Sequence, residues 1–160
     1  MPSFKSNAII LRDVIESDLP IFYEQQLDPE ATQMAAFPSR DRDAFMAHWA
    51  KIMVNENEHG ILKTILFEGL VAGNVVSWEQ SGEQEVGYWL GKEYWGKGIA
   101  TKALAQFLEH LKKRPLYAHV SKRNTGSLRV LQNCGFAIAG ENKFSETNGL
   151  VIEEYLLKME

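Results

Sequence analysis

With 160 residues, 45% of them apolar and 11% aromatic, the chain suits one domain, 1–160, able to bury a substantial core. No apolar run approaches the roughly 20 residues that span a bilayer, and Met1 to Ser6 carries no apolar secretory block, so a cytoplasmic protein without membrane contact is expected. The formal charge of −4 argues against a general nucleic-acid binder, and a lone cysteine, Cys134, excludes an intramolecular disulfide and a thiolate metal cluster.

Along the chain, Ala8 to Arg12 is an apolar run suited to a first strand. Ser17 or Asp18 then caps a helix carrying Leu19, Phe22 and Tyr23, which Asp28-Pro29 breaks. A second amphipathic helix begins near Asp41, with Phe45, Trp49, Ile52 and Met53 on one face, and dissolves into the polar stretch Asn55 to Gly60. Ile61–Phe67 and Val71–Trp78 flank the hairpin signal Glu68-Gly69, and Glu85–Leu90 follows the Ser81-Gly82 turn, an antiparallel meander. Ile99, Ala103, Leu104, Phe107, Leu108 and Leu111 give a one-sided helix that stops before Pro115, and Leu116–Val120 reads as the next strand through a parallel crossover. Thr125–Asn133 is a short helix ended by Gly135, and Phe136–Ala139 and Val151–Lys158 are the last strands.

Charge is segregated along this order. From Gly91 to Arg129 nine basic residues stand against two acidic ones, a net +7 that leaves −11 for the remainder, so a small polyanion docking on this segment is expected. Lys112, Lys113 and Arg114 read instead as a solvated helix face.

The stretch Tyr94-Trp95-Gly96-Lys97-Gly98-Ile99-Ala100-Thr101 joins a strand to the most one-sided helix. Its glycines and small residues let backbone approach a ligand closely, and the first N–H groups of a helix lack intrahelical partners and attract anions. Gly91 to Lys97 has the spacing of a nucleotide-binding P-loop, but Gly98 stands where Ser or Thr would ligate magnesium. A dinucleotide fingerprint fails too, because Thr101 replaces its third glycine and no acidic residue ends the next strand.

Gly98-x-Ala100 in this loop resembles the core of the GNAT acetyltransferase pattern Q/R-x-x-G-x-G/A, with Trp95 in place of the usual Gln or Arg. The string Glu85-Val86-Gly87-Tyr88-Trp89-Leu90, the loop after it, and Asn124-x-x-Ser127 with Leu131 and Gly135-Phe136 are similar to the Rim-like branch, the ribosomal-protein N-terminal acetyltransferases. The resemblance implies an α/β (mixed α+β) GNAT fold. Its central sheet, mostly antiparallel, has about seven strands flanked by about four helices, and a V-shaped splay separates the strand ending at Leu90 from Leu116–Val120.

By the same resemblance, acetyl-CoA is the cosubstrate. Tyr88, Trp89 and Leu90 offer backbone to pantetheine, Trp95 shields the loop, and backbone amides through Gly96, Lys97, Gly98, Ile99, Ala100 and Thr101 hold the pyrophosphate. Lys92, Lys97, Lys102 or Arg123 reaches phosphate oxygens, and Asn124 orients the cofactor or caps its helix. An amine attacks the thioester directly. A lysine-like amine costs roughly 4 to 5 kcal/mol to deprotonate at neutral pH and an α-amine about 1, so a base serves the former more. Glu85, Glu79, Glu146 and Glu153 are candidates, with Glu85 favoured beside the catalytic strand. Leu131 occupies the place of the Tyr that many relatives use as proton donor, and Ser127 is the expected replacement.

Cys134 reads as a small packed residue rather than a nucleophile, and His48, His59, His110 and His119 are too dispersed to suggest a metal, so none is expected. The GNAT resemblance implies that acceptor recognition falls to Asp28–Arg40, containing Met34, Phe37 and Pro38, and to Asn142–Gly149. The acidic remainder favours a cationic acceptor: a protein N-terminus, a polyamine or an aminoglycoside. A non-catalytic acetyl-CoA sensor is the alternative, and a homodimer is allowed but not specified.

Overall fold

In the computed structural model, which describes residues 8–35, 40–54, 60–145, 149 and 151–160, the chain runs through β1 (Ile9–Asp13), α1 (Leu19–Gln25), α2 (Pro29–Ala35), α3 (Arg42–Val54), β2 (Ile61–Phe67) and β3 (Leu70–Gln80). It continues through β4 (Glu83–Leu90), α4 (Ile99–His110), β5 (Leu116–Ser121), α5 (Thr125–Asn133), β6 (Ala137–Ser145) and β7 (Val151–Met159). The strands form one seven-stranded sheet ordered β1-β2-β3-β4-β5-β7-β6, antiparallel except between β4 and β5. The meander follows from its turns. Glu68-Gly69 and Ser81-Gly82 all have positive φ, between 52° and 82°, the turn geometry whose twist matches antiparallel strands.

Helices cover the sheet on both faces. α4 and α5 pack on one, where Ile99, Ala103, Leu104 and Phe107 meet Val75, Val86, Leu116 and Leu157, all nearly or wholly buried. Each such side chain contributes about 1.5 to 3 kcal/mol by leaving water. α1 and α3 pack on the other through Leu19, Phe22, Phe45 and Trp49 against Leu62, with the Phe22 and Trp49 rings 5.1 Å apart. No helix among the described residues is long and apolar enough to cross a membrane.

Two elements differ from the sequence expectation. Asp28-Pro29 does end α1, but it also starts α2: Asp28 Oδ2 accepts the Ala31 N–H at 3.2 Å, and Pro29 occupies the first helical position, where its missing N–H costs nothing. Among the described residues the α-helices therefore number five. β6 runs on to Ser145, its pairing with β7 shifted by a bulge between Ile138 and Gly140, so that Asn142 to Ser145 belongs to a strand rather than to an acceptor loop.

Asp18 precedes α1 without capping it, because its carboxylate turns inward. It accepts Arg12 Nη1 and Nη2 at 2.7 and 2.8 Å, Thr64 Oγ1 at 2.6 Å and the Ile15 N–H at 3.0 Å. Burial works to raise this carboxyl, but the bonds from Arg12, Thr64 and Ile15 outweigh it and hold the group below the ordinary Asp range. A carboxylate depressed in the fold stabilises it above the unfolded pKa, and that stability is lost as pH falls through the folded value. Asp18→Asn is expected to destabilise the domain by about 2 to 3 kcal/mol, by removing the charge that faces Arg12 and one of the two oxygens shared by Arg12, Thr64 and the Ile15 N–H. In denaturant melts across pH, the gap between variant and wild type should close on the acid side, below the ordinary carboxylate range.

Candidate active site

β3 accompanies β4 from Gln80↔Glu83 to Gly73↔Leu90, whereas β5 pairs with β4 only at Gln84↔Leu116 and Glu85↔Tyr117. Past Glu85 the parallel strands part, and the edge of β4 through Tyr88, Trp89 and Leu90 opens into a cavity of about 520 Å³. The start of α4 and the start of α5 close its other sides, through Gly98 to Thr101 and Asn124 to Ser127.

The β4–α4 loop is shaped by two glycines. Gly96 and Gly98 have φ of 75° and 78°, a region that L side chains rarely adopt, and nothing lies within 4 Å of where a Cβ would stand at either. Gly98 precedes α4 with no side-chain cap, and the first helical bond runs from the Lys102 N–H to the Gly98 carbonyl at 3.2 Å. The N–H groups of Ile99, Ala100 and Thr101 come before that bond and have no carbonyl one turn back. Trp95 anchors the loop, its indole donating to the Leu90 carbonyl at 3.0 Å, which accounts for an aromatic residue where the pattern has Gln or Arg. Trp89 reaches α1 instead, donating to the Gln25 carbonyl at 3.3 Å.

Asn124 caps α5: its Oδ1 accepts the Ser127 N–H at 3.1 Å. Ser127 Oγ in turn lies 3.1 Å from Tyr88 Oη, so the phenol donates to the serine and the serine hydrogen remains available to point into the cavity. Burial raises the Tyr88 phenol, which keeps it protonated. Sequence reasoning gave Tyr88 only a backbone role, since nothing local predicts a contact across 39 residues.

Of the residues singled out from sequence, Tyr88, Trp89, Leu90, Trp95, Gly96, Gly98, Ile99, Ala100, Thr101, Asn124 and Ser127 line the cavity. Lys97 and Glu85 do not. Glu85 lies on the opposite face of β4, buried, with Oε1 3.3 Å from His119 Nε2. Lys92 is tied to Glu30 at 2.7 Å, Glu79 to Lys113 at 3.0 Å and Glu153 to Lys122 at 3.6 Å. Arg129 on α5 does line the cavity, a cation that sequence reasoning missed because residues two apart on a helix do not share a face. Cys134 packs at the end of α5 with Sγ 3.5 Å from the Thr101 carbonyl, its thiol pushed up by burial, as a packed rather than reactive residue. Phe37, Pro38, His59 and Glu146, with the side chain of Met34, lie outside the described residues.

The family model described as "Acetyltransferase (GNAT) domain" matches residues 8–137. A curated Bacillus licheniformis protein, the uncharacterized N-acetyltransferase p20, is 25% identical over 99% of this chain and 96% of its own. Among solved structures, spermidine N-acetyltransferase from Vibrio cholerae in complex with CoA and spermine has a TM-score of 0.81 at 16% identity, covering 94% of each chain. A Salmonella typhimurium acetyl transferase that modifies the N-terminal serine of ribosomal protein L7/L12 has a TM-score of 0.78 at 20% identity, covering 96% of this chain and 95% of that one. With a cleft between parting parallel strands, a left-handed glycine at the head of α4 and a family match over most of its length, this chain belongs to the GNAT acetyltransferase family.

Proposed function

We propose that this acetyltransferase moves the acetyl group of acetyl-CoA onto a primary amine, on a protein N-terminus or a small molecule, by direct attack of the amine on the thioester. The observation that carries the reading is the head of α4, where unpartnered N–H groups and two open left-handed glycines face a cavity running along the exposed edge of β4. A diphosphate fits the first feature and the amides of pantetheine fit the second. Arg129, which lines the cavity, is the cation assigned to the phosphates.

Amine and thioester held in line account for most of the acceleration, several kcal/mol of pre-paid orientation. Ser127 is assigned as proton donor to the departing thiolate, supported by its place on the cavity wall and by the phenol of Tyr88, which holds the serine oxygen as an acceptor so that its own hydrogen points elsewhere. Glu85 is assigned as the base, supported by its place on β4 where β5 parts from it and by burial, which raises its carboxyl. The likenesses to a spermidine acetyltransferase and to an enzyme of ribosomal protein L7/L12 support a cationic acceptor, either a polyamine or, in keeping with the Rim-like motifs, a protein N-terminus.

Calorimetric titration with acetyl-CoA should show binding, and thiol release over a panel of polyamines, aminoglycosides and N-terminal peptides should identify the acceptor; absence of affinity for CoA and its acyl forms overturns the reading. Gly98→Val, whose side chain would stand before the helix N–H groups, is expected to raise the Kd for CoA at least tenfold in the same titration. For Ser127→Ala, kcat should fall by about 10- to 100-fold, the low end for general acids because a thiolate is already a fair leaving group, with KM for acetyl-CoA within about twofold. Full turnover at saturating substrates would remove Ser127 from the mechanism.

A further inference from the structure

On the α1–α3 side of the sheet, a row of titratable groups crosses three strands. Glu85 on β4, His119 on β5 and Glu154 on β7 follow one another, with His119 Nε2 3.3 Å from Glu85 Oε1 and Nδ1 2.9 Å from Glu154 Oε1. Asn142 Nδ2 on β6 donates to the same Glu154 oxygen at 3.2 Å and fixes that end. The side chains of Glu85 and Glu154 are 10% and 18% exposed, whereas the imidazole is 37% exposed. The groups stand in line through the ring rather than converging on a point, and among the described residues no cluster of three or more such side chains is gathered to hold a metal ion.

The arrangement has a proton count built into it. When the Nδ1–H is donated to Glu154, Nε2 presents a lone pair to a carboxylate oxygen, so the contact with Glu85 lacks a hydrogen until Glu85 acquires one. A buried carboxylate that takes a proton at each turnover must also lose it, and here the route out of the protein begins at an imidazole.

We propose that Glu85, His119 and Glu154 form a relay that carries the proton of the acceptor ammonium out to solvent, with His119 and Glu154 as positioning residues acting through Glu85. The inference rests on the acetyl-transfer reading and deepens it. In the relay the ammonium N–H breaks as an O–H forms on Glu85; that O–H breaks as N–H forms at Nε2; the Nδ1–H passes to Glu154, which ionises to water. Exchange with solvent at the exposed ring restores the starting tautomer, so the three groups end each cycle unchanged.

Burial raises the Glu85 carboxyl, the ring lowers it only in the form that carries a hydrogen at Nε2, and the net direction is upward, toward the pH at which a base is useful. The other charges that meet the row are Glu83 on β4, whose like charge adds with that of Glu154 to the upward direction, and Lys158 on β7, over the Tyr117 ring and held by Glu160. Glu30 on α2, which packs on β5, is held by Lys92.

The test compares wild type with His119→Gln and His119→Ala in steady-state turnover from pH 5.5 to 9, using the amine found in the acceptor screen. The relay predicts that His119→Gln, which keeps hydrogen-bonding capacity but cannot be protonated, lowers kcat at least tenfold at neutral pH on an amine of lysine-like basicity, and less on an α-amine. KM for acetyl-CoA should stay within twofold. The acid limb of the pH–kcat profile should move, and added imidazole should restore part of the turnover of His119→Ala through the exposed ring position. A His119→Gln enzyme with kcat within twofold of wild type and an unmoved acid limb overturns the relay. If wild type binds CoA but releases no thiol with any amine, it is the acetyl-transfer reading that fails.

Discussion

The fold turns on one change of allegiance: β4 keeps its hydrogen bonds to β3 as far as Leu90 but gives up β5 after Glu85. A strand that loses a neighbour exposes a row of backbone donors and acceptors, and inside a protein such a row must be satisfied by something. Here the open edge faces a cavity rather than bulk solvent, with the heads of two helices as its other walls. An extended, amide-bearing chain ending in a diphosphate satisfies both kinds of wall, strand edge and helix start. The parting also admits α5, so that Ser127 stands opposite Tyr88. Had β5 stayed paired with β4 along its length, neither the cavity nor the phenol–hydroxyl contact would exist.

The helix head makes its own demand. A glycine with φ of 78° immediately before Ile99 turns the chain so that α4 begins without a side-chain cap. In an ordinary helix Ser, Thr, Asp or Asn would satisfy one of the leading N–H groups; its omission leaves them for a ligand. Trp95 supplies the rigidity that such a cap would have given, bonding to the last carbonyl of β4 and packing into the core. The indole thus serves the loop from behind while the glycines leave its front bare.

Much of this was legible in the sequence because it is written locally. Strand alternation, the one-sided helix at Ile99 and the small residues between them are short-range patterns, and they located the sheet, α4 and the cavity-lining loop. Asp28-Pro29 ends α1 as its residues predict, but the start of α2 is hidden for a local reason: the same dipeptide that ends one helix supplies the cap and first residue of the next. What could not be read is set by strand register. Tyr88 with Ser127, and Glu85 with His119 and Glu154, meet only because particular strands lie side by side in a particular alignment, and no periodicity within one segment encodes that. The sheet-lengthening bulge in β6 is of the same kind, a pairing event with no signature of its own.

Period-two alternation along β4 then separates two jobs. Tyr88 points to the α4–α5 side, where it meets Ser127, while Glu85 points to the α1–α3 side, where it meets His119. In the proposed reaction nitrogen loses a proton while sulfur gains electron density, two events at different atoms of one tetrahedral intermediate. Placed on one face, a carboxylate base and a hydroxyl donor would hydrogen-bond to each other and cancel. One strand with residues alternating across it keeps the two assigned groups, Glu85 and Ser127, on opposite faces of the sheet. The strand whose parting opens the cleft therefore also holds the proposed base apart from the proposed proton donor.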